Sequence, residues 1–127
     1  MTAGDIVPPF TWEVTREQIN AYADASGDHN PIHLDDEVAR SVGLPGVIAH
    51  GMLGMAQLAN AVVAFAGDHR RLRRLRCRFA GMVLPGDTVI FGGSVSTVEG
   101  GVATLELNAD NQRGERVLSK AVAELTV

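Results

Sequence analysis

Between Met52 and Ala66 the chain runs Leu-Gly-Met-Ala-Gln-Leu-Ala-Asn-Ala-Val-Val-Ala-Phe-Ala, with only Gln57 and Asn60 polar. A helix apolar on nearly every side has to be enclosed by the rest of its fold. This one is shorter than the roughly 20 residues that cross a bilayer, and it carries two amides, so it reads as a buried helix and not a membrane span. Gly67 stops it. Beyond it the hydrophobic period changes to two. Leu75, Cys77 and Phe79 alternate with Arg74, Arg76 and Arg78 in a half-buried strand, and Met82 to Asp87 is a break. Thr88 to Val98 is β-branched and carries Gly92-Gly93, a bulge or a close approach. Glu99-Gly-Gly101 turns the chain into Val102 to Ala109, and Asn111 to Gly114 turns it again into a last strand ending near Val127. One enclosed helix followed by an antiparallel meander predicts an α+β domain in which a curved sheet wraps the helix.

Ahead of that helix the signals are local. Phe10 to Val14 reads as a short strand. Thr15-Arg-Glu-Gln18 has the form of a capping box, and Ile19, Tyr22 and Ala23 follow at helical spacing, so a helix should run from there to Gly27. Asp35 or Asp36 can cap a brief helix carrying Val38, Ala39 and Val42, which Gly43 and Pro45-Gly46 end. With 127 residues the chain is expected to be one domain, residues 1–127. A formal charge of -4 argues against nucleic acid as a partner. The only cysteine, Cys77, has no intrachain partner, and the N-terminus lacks the basic start and apolar run of a secretion signal. A reducing, cytoplasmic setting is therefore expected. A single sheet has two open edges, and pairing into a dimer is the natural remedy.

Ser26 to Asp36, which joins the two early helices, holds the densest chemistry in the chain. Asp28 and His33 sit on a short loop that Gly27 and Asn30-Pro31 restrict, and a carboxylate and an imidazole converging on one substrate atom is what general acid-base chemistry requires. The same residues are also ordinary turn formers. A metal site built from Asp28, His29, His33 and Asp35 has neither a Cys pair nor a His-Glu-x-x-His spacing to support it, so no metal is expected. The apolar helix has no Ser, Thr, Asp or Asn just before it. Its first N-H groups need another partner, and Gly51 would let a ligand oxygen approach them closely; a plain tight turn is the alternative.

With these residues on the page, the chain resembles the MaoC-like hydratases and dehydratases, the (R)-specific enoyl-thioester hydratase family of the hot-dog fold. Three blocks carry the likeness: Tyr22 to His33 (Tyr-Ala-Asp-Ala-Ser-Gly-Asp-His-Asn-Pro-Ile-His), Ala49-His-Gly-Met52, and Phe79 with Val83-Leu-Pro-Gly-Asp-Thr88. The resemblance implies that Asp28 and His33 are the catalytic pair, that Asn30 supports them by hydrogen bonding, and that the Gly51 N-H receives the thioester carbonyl. It implies reversible hydration of trans-2-enoyl thioesters and dehydration of (3R)-3-hydroxyacyl thioesters, with no cofactor. Some relatives carry a serine in the central helix; Met52 to Ala66 has none. A hot-dog thioesterase and a subunit of a heterodimeric dehydratase are the alternatives, so a homodimer is expected with a mixed dimer as the other arrangement. Arg74, Arg76 and Arg78, with Arg70, Arg71 and Arg73 before them, form a basic patch in an acidic protein. They are either solvated surface or the contact for the carrier of the acyl group, coenzyme A or acyl carrier protein.

Overall fold

The computed structural model describes residues 1–127. In chain order the elements are β1 (Ile6–Glu13), α1 (Arg16–Ser26), α2 (Asp36–Ser41), α3 (Gly51–Ala66), β2 (Leu72–Phe79), β3 (Thr88–Glu99), β4 (Val102–Asn111) and β5 (Arg116–Thr126). The five strands form one curved antiparallel sheet in the order β1-β3-β4-β5-β2, and α3 packs against β1, β2, β3 and β5. This is the α+β hot-dog fold. The alternation along β4 explains why the helix sits where it does. Ala103, Leu105, Leu107 and Ala109 all point inward and are buried, and α3 answers with Leu53, Leu58, Ala61, Val62 and Ala66.

Several local expectations meet a specific outcome. Both halves of the Thr15 capping box form, and Gly27 ends α1 in the left-handed region at φ 79°. Asp35, not Asp36, caps α2, accepting from the N-H groups of Glu37 and Val38. Gly93 is a close approach: a Cβ there would run into the Glu106 carbonyl and the Leu107 Cα of β4.

Four features differ from the sequence reading. β1 begins at Ile6, four residues early, because Pro8-Pro9 are tolerated on an edge strand where the register shifts between Val7 and Phe10. β2 pairs with β5, so only β3, β4 and β5 make a meander; the segment Met82 to Asp87 carries the chain across the sheet instead of turning a hairpin. As an edge strand with two register shifts, β2 buries less than simple alternation implies, and Phe79 is 55% exposed. Helix α3 is also incompletely enclosed. Met52, Ala56, Asn60 and Ala64 form an exposed outward face.

Candidate active site

The loop after α1 is fixed by its own polar atoms. Ser26 Oγ accepts from the Asp28 N-H at 3.1 Å, and Asp28 Oδ1 accepts from the Asn30 N-H at 3.2 Å. Asn30 Oδ1 in turn accepts from the Ile32 N-H, capping a 3₁₀ turn over Pro31–His33. Asn30 thus acts on the pair through the backbone: its N-H holds the Asp28 carboxylate and its side chain starts the turn that presents His33. Asp36 fastens the far side. Its carboxylate accepts from the Val47 N-H (2.9 Å) and from Arg16 (2.8 Å), which together hold the carboxyl below its ordinary range.

His33 is buried, and its Nδ1-H donates to the Ile48 carbonyl at 2.7 Å, so Nε2 carries the free lone pair. Its ring stacks on that of His50 with centroids 3.8 Å apart and planes 24° apart. His50, only 3% exposed, occupies the N-cap position of α3 without capping it; its Nε2-H donates to the Asp28 carbonyl at 3.0 Å, and the Tyr22 ring is tilted against it with centroids 4.8 Å apart. Helix α3 therefore starts without a side-chain cap. The N-H groups of Gly51 and Met52 donate to no protein acceptor, and they lie at the positive end of the helix dipole.

A cavity of about 400 Å³ opens beside this helix start, lined by His50, Gly51 and Gly54 and otherwise mainly by apolar residues, among them Trp12, Phe79 and Phe91. Asp28 and His33 do not line it; His50 touches both the cavity and His33. Gly51 matters for a second reason besides room for a ligand. A Cβ there would sit 3.2 Å from three carbons of the Phe79 ring, so the ring rests on the space that glycine leaves.

Asp28, His33 and His50 bring polar atoms within 4.8 Å of one another, the spacing of a possible metal trio. Ring geometry argues against one ion shared by both imidazoles: with planes 24° apart and centroids 3.8 Å apart, in-plane lone pairs do not converge at the roughly 2 Å of a metal–nitrogen bond. His29 and Asp35 point elsewhere, His29 to Asp24 at 3.1 Å and Asp35 to the start of α2.

The basic patch is rearranged relative to its sequence spacing. Arg76 and Arg78 line a shallow hollow with Lys120, which a bulge in β5 turns outward at φ 48°, whereas Arg74 lies opposite Glu124. Arg70 pairs with Asp68, and Arg71 donates to the carbonyls of Ala66 and Thr126. Lys120 was not legible as part of this group, because it joins from a different strand.

The chain is 31% identical over 122 residues to the peroxisomal hydratase-dehydrogenase-epimerase of Saccharomyces cerevisiae, covering 94% of this chain and 13% of that protein. Among solved structures it superposes on a MaoC-like dehydratase with a TM-score of 0.94 and 30% identity, over 99% of this chain and 40% of that one. The fold also matches an (R)-hydratase from A. caviae involved in PHA biosynthesis, with a TM-score of 0.90 and 22% identity over 100% and 97% of the two chains. The chain thus spans far less than two thirds of the yeast protein and of the dehydratase it matches. Residues 6–113 match the family described as MaoC like domain, and the chain belongs to that family.

Proposed function

We propose that this domain catalyses the reversible addition of water to trans-2-enoyl thioesters, and its loss from (3R)-3-hydroxyacyl thioesters. The observation that carries the reading is the meeting of Asp28, His33 and an uncapped helix start beside an apolar cavity. In the dehydration direction a base removes the proton from C2, electron density moves onto the thioester oxygen, and the C3 hydroxyl leaves as water with a second proton. Asp28 and His33 move these two protons between them, His33 through the Nε2 that its Ile48 bond leaves free. The Gly51 N-H receives the developing oxyanion, a contribution of about 3 to 4 kcal/mol by comparison with other oxyanion donors. Asn30 is a supporting residue, and the cavity takes the acyl chain. The family membership and the likeness to a dehydratase support this chemistry.

Asp28→Asn and His33→Ala, assayed on crotonyl coenzyme A, are expected to lose about 10² to 10⁴ in kcat; Asp28→Asn keeps its thermal stability, whereas His33→Ala stays folded with a lowered Tm, because His33 is buried and bonded to the Ile48 carbonyl. Unchanged turnover in either variant removes that residue from the mechanism. An exposed carboxylate beside a helix start would also serve thioester hydrolysis, so the assay follows both enoyl absorbance and free thiol; thiol release without change in absorbance reverses the assignment to a thioesterase.

The substrate carrier is coenzyme A or acyl carrier protein, met by Arg76 and Arg78 with Lys120, and by Arg74 to a smaller degree. No helix of the chain is long and apolar enough to cross a membrane, and the single free Cys77 suits a reducing compartment such as the cytoplasm. The open edges β1 and β2 and the exposed face of α3 support a dimer of this chain, or a mixed dimer with a second hot-dog subunit. Light scattering on the purified chain, alongside its activity alone, separates the two.

A further inference from the structure

We propose that His50 is the positioning residue of the site: it sets the Asp28–His33 pair against the helix start that carries Gly51. This deepens the functional reading above and rests on it. Three attachments converge on one imidazole. Its Nε2-H holds the Asp28 backbone carbonyl at 3.0 Å, its ring is the surface on which His33 stacks at 3.8 Å, and its own backbone leads directly into Gly51. Asp28 is otherwise held only within its own exposed loop, its N-H by Ser26 Oγ and its carboxylate by the Asn30 N-H. His50 therefore provides the one side-chain hydrogen bond from the helix start to the segment that bears the carboxylate.

The fourth observation is a cost. The Nδ1 of His50 is buried and has no hydrogen-bond partner. Phenylalanine, somewhat larger than histidine, would keep an aromatic ring against Tyr22 and His33 and remove the unsatisfied polar atom, a gain set against tighter packing and the loss of the donor to the Asp28 carbonyl. An imidazole held at the expense of stability is explained by its other nitrogen, the one that grips Asp28.

The two nitrogen-dependent and ring-dependent roles separate in two variants. His50→Phe keeps the ring and loses the donor; His50→Gln keeps an N-H donor near the Nε2 position and loses the ring. Positioning through the hydrogen bond predicts that the Phe variant has a Tm near wild type yet a kcat lower by about 10²-fold at nearly unchanged KM, the loss that a displacement of about 1 Å produces. The Gln variant should be less stable than the Phe variant and yet more active. A merely structural role would make kcat follow Tm across the series, and that result, or wild-type kcat in His50→Phe, overturns the proposal. Amide hydrogen exchange from Asp28 to His33 provides a readout independent of the reaction: it should quicken in His50→Phe and stay near wild type in His50→Gln. Quickened exchange in a protein without hydratase activity leaves the positioning role standing and removes the function; unchanged exchange in both variants removes the positioning role whatever the reaction.

Discussion

Gly51 shows how one missing methyl group can serve two neighbours. Its backbone lies outside the left-handed region, so the requirement for glycine comes from space and not from φ. The Phe79 ring occupies that space at 3.2 Å from where a Cβ would be. Gly51→Ala in the wild type thus sets a gain in helix propensity against a clash with the ring, and the two should nearly cancel. In a Phe79→Ala background the clash is gone, and the same substitution should stabilise by up to about 0.5 kcal/mol, less than in a helix interior because Gly51 is the first helical residue. Equal changes in both backgrounds, measured by denaturant unfolding, would show that the ring does not explain the glycine. What could be read from sequence at this scale was whatever a residue does with its immediate neighbours: Asp28 and His33 on one short loop, Asn30 before a proline, an uncapped start at Gly51. His50 stood in plain view beside Gly51, but its partner Asp28 is 22 residues away, and only the fold brings its Nε2 to that carbonyl. Lys120 was hidden for a related reason: the alternation of β5 breaks at Val117-Leu118, but only the pairing of β5 with β2 brings Lys120 beside Arg76 and Arg78.

At the scale of elements, the helices were legible because each carries its own start and stop signals in adjacent residues, as Thr15, Gln18 and Gly27 do for α1. The strand order was not, because the pairing of β2 with β5 is decided by how the sheet wraps α3 and not by any turn residue. Once that order is set, the crossing from β2 to β3 needs an anchor, and Asp87 supplies it. Burial pushes the Asp87 carboxyl up, but hydrogen bonds from Arg113, Gln112 and the Leu84 N-H outweigh that and leave it below the ordinary range. These bonds pin the crossing segment, whose Met82 and Val83 line the cavity, to the β4–β5 turn. A carboxyl held low when folded stabilises the protein fully above its unfolded value of about 3.9, and loses that contribution as the pH falls through the lower folded value. Asp87→Asn should therefore cost about 1.5 to 3 kcal/mol at neutral pH, with the exposed side of Arg113 keeping it from the upper range of buried pairs. The variant should also flatten the acid limb of the stability curve. A parallel loss of stability below pH 4 in both proteins would assign that limb to other carboxylates, Asp36 first among them.

Over the whole molecule, charge is distributed unevenly in a way that neither the net value nor the sequence spacing conveys. The chain carries -4 overall, and the ion pairs that form join Arg16, Arg70, Arg113 and Arg116 to nearby carboxylates. Arg73, Arg74, Arg76, Arg78 and Lys120 make no such pair, and all five lie on β2 or on β5 beside it. Arg40 on α2 and Arg71 before β2 also lack an ion pair and donate to carbonyls, but most of the unneutralised cations gather at one sheet edge, where they would attract phosphates or an acidic carrier over roughly a Debye length of 8 to 10 Å at ordinary salt. Phe79 of the same strand lines the cavity, which on the proposed function would receive the acyl group of a carrier held at this edge. Because Arg76, Arg78 and Lys120 share one hollow while Arg74 faces Glu124, their contributions should be unequal. A variant with Arg76, Arg78 and Lys120 changed to Ala is expected to raise KM by about tenfold at low ionic strength, with kcat held and the salt dependence of kcat/KM flattened. Arg74→Ala should change KM by less than about twofold, as an exposed charge with a nearby carboxylate does. Matched coenzyme A and carrier-protein thioesters, run side by side, show which carrier the edge receives, and a KM at low salt indistinguishable from wild type for both would return these cations to solvated surface.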